Sequence, residues 1–131
     1  MIGIDIMGPL PKTNKGNRYV ILITDYATGF VEGRAIKNKT AENVKKFLLE
    51  VFTRHGPPQE IRTDCGLEFN NEVIKALTRE WGIRMRLTAP YSPWSNGKAE
   101  RTNQTIIAKL AKIIVNEKDW DDMLSIAIYH Y

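Results

Sequence analysis

Hydrophobic and polar residues alternate at the start of the chain. Within residues 2–7, isoleucine occupies every second position, and Asp5 lies among the residues between them. A period of two predicts a β-strand with one buried face. Two further runs, at residues 18–24 and 30–36, are rich in β-branched and aromatic residues and predict two more strands. A turn at residues 25–29 joins them, so the first third is predicted to be an antiparallel meander.

A helical period replaces this alternation after residue 36. Apolar residues recur at helical spacing in residues 41–52, with Thr40 before them as a plausible N-cap. Gly56 and the two prolines that follow it predict the end of this helix. Residues 60–63 then predict a short strand that runs into Asp64.

The remaining pattern alternates between helix and strand. A helix capped by Asn70 or Asn71 and closed by Gly82 is predicted first, followed by a strand at residues 83–87. A loop with two prolines at residues 89–96 comes next. A long helix from about Lys98 and a last amphipathic helix capped by Asp119 complete the predicted elements. Trp81 and Trp120 fall among the apolar positions of helices and are predicted to lie in the core.

The order βββαβαβαα defines the predicted fold class. Three antiparallel strands followed by alternating strands and helices predict an α/β domain with a mixed five-stranded sheet covered by helices. Helical crossovers place the last two strands parallel in that sheet.

Composition restricts the classes of protein that remain. The chain has 131 residues, 43% hydrophobic and 26% charged, which suits one globular domain and excludes disordered and collagen-like chains. The pattern contains neither a membrane-length apolar run nor a secretory leader, so we expect a protein that is neither membrane-bound nor secreted. One cysteine and two histidines cannot form a structural zinc site of the usual four ligands. A metal in this protein would therefore bind mainly to oxygen.

Positive charge is concentrated in the second half of the chain. The formal net charge is only +4, but residues 75–112 contain eight lysines and arginines against two glutamates. Such a block indicates a polyanionic partner, most often nucleic acid. A solvated surface that keeps the protein soluble is the alternative.

Three acidic residues are candidates for a catalytic or metal-binding role because of where they lie in the predicted elements. Asp5 lies within an apolar strand, Asp64 ends the fourth strand, and Glu100 falls in the first turn of a long helix. Taken singly, each has an ordinary explanation: an exposed edge for Asp5, a turn for Asp64, and a favourable helix dipole for Glu100.

Taken together, these acids and their surroundings resemble a known family. Asp64 and Glu100 are separated by 35 residues, and three segments flank the acids in order: DIMGPLP from Asp5, TDCGLEF around Asp64, and YSPWSNGKAER ending just past Glu100. These segments resemble the catalytic core of retroviral and gypsy-type retrotransposon integrases, the D,D(35)E family with a ribonuclease-H-like fold.

The resemblance implies a chemistry and a cofactor. It implies DNA integration by divalent-metal-dependent polynucleotidyl transfer, which comprises 3′-end processing and strand transfer by in-line attack on phosphodiesters. Asp5, Asp64 and Glu100 would be the catalytic residues and would hold two Mg²⁺ ions, with Mn²⁺ as a possible substitute. Carboxylate oxygens suit this hard cation, and two ions can activate the attacking oxygen and stabilise the leaving one.

The resemblance also implies partners and extent. DNA, both element ends and target, would be bound by a loop and by the long helix; the candidate residues are Tyr91, Asn96, Gly97, Lys98, Arg101, Asn103, Lys109 and Lys112. We expect a homodimer or higher oligomer, acting in the nucleus or a retroelement particle. We expect residues 1–131 to form one catalytic core domain, cut short at its C-terminal end, without a zinc-binding N-terminal domain or a DNA-binding C-terminal domain.

Two alternatives remain open. The chain could be another transposase or ribonuclease-H-like nuclease, although the segments quoted above favour an integrase. It could also be a domesticated, non-catalytic core that binds nucleic acid or protein. Metal binding distinguishes an enzyme from a non-catalytic module, because a pure binding module has no need of Asp5, Asp64 and Glu100.

Overall fold

Five strands and four α-helices form the part of the chain that the computed structural model describes, residues 1–64, 66–87 and 97–129. In chain order the elements are β1 Ile2–Met7, β2 Tyr19–Asp25, β3 Val31–Ile36, α1 Ala41–His55, β4 Glu60–Thr63, α2 Glu72–Glu80, β5 Arg84–Leu87, α3 Gly97–Ile113, a 3₁₀ turn at Glu117–Asp119, and α4 Trp120–Tyr129. The predicted order of strands and helices is confirmed. Among these residues, no helix has the length and apolar character that crossing a membrane requires.

The strands form a single sheet in the order β3-β2-β1-β4-β5. β1 pairs antiparallel with β2, and β2 pairs antiparallel with β3. β4 is parallel to β1, and β5 is parallel to β4. The predicted α/β fold class is therefore confirmed: a mixed sheet with three antiparallel and two parallel strands, flanked by helices.

Both faces of the sheet are covered by apolar packing. On one face, Ile4 and Ile61 pack with α1 and α2. On the other, Leu22 packs with Ile106 of α3 and Trp120 of α4. Burial of these side chains supplies the main driving force for folding.

The expectation that β1 has only one buried face was wrong. β1 is the central strand, so Gly3 is buried, and Met7 packs against the α3–α4 cluster on the face opposite Ile4. Asp5, which alternates with the isoleucines, consequently lies between the sheet and α3 rather than on an open surface.

Local capping explains both ends of α1 and the start of α2. Thr40 accepts a hydrogen bond from the Asn43 backbone N–H, and Gly56 ends α1 with a φ of 81°. Asn71, rather than Asn70, caps α2 by accepting from the Ile74 N–H. These groups satisfy backbone donors that the first turn of a helix leaves without a partner.

The prediction that Asp119 caps the last helix was wrong. Asn116 is the N-cap of the 3₁₀ turn, and α4 follows directly from Trp120. The Asp119 carboxylate instead accepts a hydrogen bond from the Asn14 side chain, 3.1 Å away.

The loop between β1 and β2 is attached to the start of α4. Trp120 donates from Nε1 to the Pro11 carbonyl at 2.5 Å, and Trp120 is almost fully buried. Lys15 pairs with Asp122, and the Asn17 amide donates to Asp121 at 2.8 Å. This set of contacts fixes α4 against the sheet edge formed by β3 and β2.

Candidate active site

Asp5 occupies the middle of the central strand. It lies opposite Leu22 of β2 and is half-buried beneath α3. Its Oδ1 accepts from the Ile6 backbone N–H at 2.8 Å, and its Oδ2 accepts from Nδ2 of Asn103 at 2.5 Å. Hydrogen bonds from neutral donors stabilise an ionised carboxylate at a place where burial alone would disfavour it.

Asp64 follows the last residue of β4. The β1–β4 register pairs Ile2 with Ile61 and Gly3 with Arg62, and carrying that pairing two residues further sets Asp64 opposite Asp5. Neighbouring strands lie about 4.8 Å apart, so this extension of the pairing predicts that the backbones of the two aspartates are close. Asp64 is exposed, and its Oδ1 accepts from the Gly66 N–H at 2.8 Å, which fixes the turn that leaves the strand.

Asn103 connects α3 to this pair. It is only 6% exposed, and its Oδ1 is buried without a hydrogen-bond partner in the described part of the chain. The side chain borders an open recess of about 310 Å³, together with Met7, Gln104 and Ile107. A buried amide oxygen without a partner is uncommon and marks a position where a polar ligand could bind.

Glu100 lies three residues before Asn103, in the first turn of α3. Residues three apart on a helix lie on the same side, so the backbone of Glu100 is one turn from the Asn103–Asp5 contact. The side chains of Glu100 and Lys98 lie outside the described residues, as do Tyr91 and Asn96 altogether. Gly97 is the first residue of α3.

The remaining predicted DNA contacts fall on other sides of α3. A helix turns by about 100° per residue, so Arg101, Lys109 and Lys112 lie about 120° to 180° around the axis from Asn103. Arg101 and Lys112 are exposed, and Lys109 is half-buried. The structure therefore brings Asn103 to Asp5 but does not bring these cations to the same face.

The described carboxylates are of the type that the predicted metal prefers. Asp5 in β1 and Asp64, which directly follows β4, offer carboxylate oxygens, the type of ligand that suits Mg²⁺ or Mn²⁺. Within residues 1–64, 66–87 and 97–129, no group of three or more His, Cys, Asp or Glu side chains is placed to hold an ion. The third predicted ligand, the Glu100 carboxylate, is not among the described side chains.

Comparison with known proteins identifies the family. Residues 1–93 match the family model described as "Integrase core domain", a stretch that includes Asp5 and Asp64. The chain belongs to the integrase core family. The match ends before Glu100, so the assignment of that residue rests on the motif around it.

Retroviral polyproteins are among the relatives of this integrase core. The Pol polyprotein of feline endogenous virus ECE1 is 38% identical over 116 residues, which cover 86% of this chain and 11% of the relative. The Pol polyprotein of radiation murine leukemia virus (strain Kaplan) is 37% identical over 117 residues, which cover 87% of this chain and 20% of the relative. The chain thus spans a fifth or less of these relatives.

A solved structure shares the fold. A chain in the cryoEM structure of the simian T-cell lymphotropic virus intasome in complex with PP2A regulatory subunit B56 gamma superimposes with a TM-score of 0.82 at 25% identity. The superposition covers 98% of this integrase core and 46% of that chain.

Two further residues near the aspartates were not singled out from the sequence. A Cβ atom on Gly3 would lie 2.7 Å from the Tyr26 hydroxyl, so the phenol ring passes directly over β1 two residues before Asp5. The available signal was a glycine inside a strand, which often marks the close approach of another group.

Proposed function

We propose that this integrase core catalyses divalent-metal-dependent polynucleotidyl transfer on DNA during the integration of a retroelement. The observation that carries the proposal is the parallel pairing of β1, which contains Asp5, with β4, which ends one residue before Asp64, in a chain of this family. Glu100, one helical turn before the residue that binds Asp5, is the proposed third carboxylate.

The protein residues would hold and orient the reacting groups. Asp5 and Asp64 would hold two Mg²⁺ ions, or Mn²⁺ in their place, with Glu100 completing the site. Such ions supply activation of the attacking oxygen and stabilisation of the leaving oxygen. Asn103 would orient the Asp5 carboxylate and, through its buried Oδ1, contact a polar group of the bound DNA or its water.

The proposed strand-transfer reaction is a balanced exchange of phosphodiesters. A DNA 3′-hydroxyl attacks a target phosphorus in line, one P–O bond forms, and the P–O bond to the target 3′-oxygen breaks. The hydroxyl loses its proton and the leaving 3′-oxygen gains one, so no oxidant or other co-reactant is needed. In 3′-end processing, water takes the place of the hydroxyl.

The proposed partners, assembly and cellular compartment are based on the relatives. Partners would be the element's DNA ends and target DNA, and the working form a homodimer or larger assembly. Viral particles and the host nucleus are the compartments that retroviral Pol relatives suggest.

A disintegration assay tests the proposal most directly. Branched DNA is incubated with the chain and Mg²⁺ or Mn²⁺, beside Asp64→Asn, Glu100→Gln and the control Glu72→Gln, a carboxylate on α2 that is 83% exposed. We expect product from wild type and control and none from the other two variants. Equal product from all four would overturn the carboxylate mechanism.

Metal titration separates the proposed enzyme from a non-catalytic module. Mn²⁺ binding by calorimetry should be present in wild type and Glu72→Gln and strongly weakened in Asp64→Asn. Unaltered Mn²⁺ binding in Asp64→Asn, or DNA binding by a wild type that binds no Mn²⁺, would favour the domesticated core.

A further inference from the structure

Arginines line the part of the sheet formed by β4 and β5. Ile61 and Met85 pack with α1 and α2, so the residues that alternate with them face the other way. Those residues are Glu60 and Arg62 on β4 and Arg84 and Arg86 on β5, with Glu60 opposite Arg84 and Arg62 opposite Arg86. We call the surface formed by Arg62, Arg84 and Arg86 the arginine face.

The arginine face is on the same side of the sheet as Asp5. Arg62 is opposite Gly3, which alternates with Ile4 and therefore shares the side of Asp5. Arg62 precedes Asp64 by two residues, and two residues of a strand span about 6.6 Å. The Tyr26 ring, whose hydroxyl lies over Gly3, adds an aromatic group on this side of the sheet.

Glu60 forms ion pairs with two of the three guanidinium groups. Its Oε2 is 3.5 Å from Nε of Arg62, and its Oε1 is 3.5 Å from Nε of Arg86. The Glu60 side chain is only 15% exposed, whereas that of Arg86 is 55% exposed. One carboxylate between three arginines leaves excess positive charge, and it holds Arg62 and Arg86 side by side.

Charge and shape identify the partner. A guanidinium presents several N–H donors in a plane, which suits two oxygens of one phosphate. We propose that the arginine face binds the sugar-phosphate backbone of duplex DNA next to the reacting phosphate, an inference that rests on the proposed function. Protection of an edge strand against aggregation is the competing explanation for charges on β5.

Salt-dependent DNA binding tests this proposal without catalysis. Anisotropy of a labelled duplex is measured in EDTA across a series of salt concentrations, for the full chain and for Arg84→Ala/Arg86→Ala. The matched control is Lys75→Ala/Arg79→Ala, which removes the same charge from α2 on the other side of the sheet. Thermal unfolding of each variant checks the fold.

The expected result is specific to the arginine face. Each phosphate contact contributes about 0.9 to the slope of log K against log salt, so the β5 variant should lose about 1.8 in slope and about 10- to 100-fold in affinity at 0.1 M salt. The control should lose less than half of either quantity. Equal losses in both double variants, or no loss in the β5 variant, would overturn the proposal.

Two further variants keep the outcome decisive. If the double alanine variant does not fold, Arg84→Gln alone should lower the slope by about 0.9, and an unchanged slope overturns the proposal. Glu72→Gln, the exposed control of the disintegration assay, should bind DNA in the same assay as wild type does. The disintegration product of Asp64→Asn tests the proposed catalytic function, whereas the salt dependence of DNA binding tests only the arginine face. A failure of one proposal can therefore be told apart from a failure of the other.

Discussion

Asn103 on α3 donates a hydrogen bond to Asp5 on β1, and the two side chains meet at 2.5 Å although they are 98 positions apart in the chain. This contact joins the helix that carries Glu100 to the strand that carries the first aspartate. Hydrogen bonds to ionised groups are stronger than those between neutral groups, so the contact both positions α3 and fixes the orientation of the Asp5 carboxylate.

Removal of this contact should affect metal affinity and stability together. We expect Asn103→Ala to weaken Mn²⁺ binding about 10- to 100-fold, because groups that orient a metal ligand have effects of that size. We expect the free energy of unfolding to fall by about 1.5–3 kcal/mol, since a half-buried carboxylate loses a donor. Calorimetry and urea unfolding measure the two quantities.

The exposed neighbour Gln104 provides the control. Gln104→Ala should leave both quantities near the wild-type values. Asn103→Asp, which places a second carboxylate against Asp5, should weaken stability more at pH 7 than at pH 4, where protonation removes the repulsion. Unchanged Mn²⁺ affinity in Asn103→Ala would contradict a positioning role.

Gly33 allows α4 to pack closely on β3. A Cβ atom at this position would overlap the Leu22 side chain and lie 2.9 Å from Cδ1 of Ile128. We expect Gly33→Ala to lower the free energy of unfolding by about 1–3 kcal/mol because the core must shift to accommodate the methyl group. Urea unfolding gives the value, and the double variant Gly33→Ala/Ile128→Val should recover part of the loss. Additive losses would contradict the clash with Ile128.

Elements governed by local chemistry were predictable from the sequence. β4 has the predicted bounds, and Thr40 and Gly56 flank α1 as expected. These features depend on side chains within a few residues of the backbone they satisfy, so a single sequence contains the necessary information.

Features decided by distant contacts were not predictable in the same way. Both Asn116 and Asp119 are good capping residues; Asn116 is the N-cap, whereas the Asp119 carboxylate accepts from Asn14, which comes from another part of the fold. Similarly, β1 is buried on both faces because of its central place in the sheet, which the alternation of its own residues does not reveal.

The candidate site likewise combines features that the sequence predicts with features that depend on distant contacts. Motif spacing singled out Asp5 and Asp64, and the parallel β1–β4 pairing gives their adjacency a structural basis. The basic residues of α3 look clustered in sequence, but helical rotation distributes Lys109 and Lys112 away from Asn103. The arginine face requires the β4–β5 register, which sequence periodicity alone does not supply.

Trp120 should stabilise the loop between β1 and β2 through its indole N–H. We expect Trp120→Phe to lower the free energy of unfolding by about 1–3 kcal/mol, because the Pro11 carbonyl loses the donor 2.5 Å away. Hydrogen exchange should accelerate at the backbone N–H groups of Leu10 and Thr13, which bond within this loop. Trp81→Phe, in the other core cluster, should leave exchange in the loop unchanged; equal acceleration in both variants would contradict the assignment.

Asp121 should make stability depend on pH in the acidic range. Burial raises the pKa of its carboxyl, but hydrogen bonds from Asn17 and Thr13 and the charge of Lys15 outweigh burial and hold the pKa below its ordinary value of 3.8. The folded state therefore binds this proton less readily than the unfolded state. The resulting stabilisation is present above the unfolded pKa and is lost as pH falls through the folded pKa.

The variant Asp121→Asn isolates this contribution. At pH 7 we expect it to be less stable than wild type by no more than about 1 kcal/mol, because solvent screens contacts at a partly exposed group. The difference should shrink between about pH 4 and pH 2 as the wild-type carboxylate becomes protonated. Urea unfolding across that range measures it, with the exposed Glu117→Gln of the neighbouring 3₁₀ turn as control. A difference that stays constant down to pH 2 would show that shape rather than charge at residue 121 stabilises the attachment of the loop to α4.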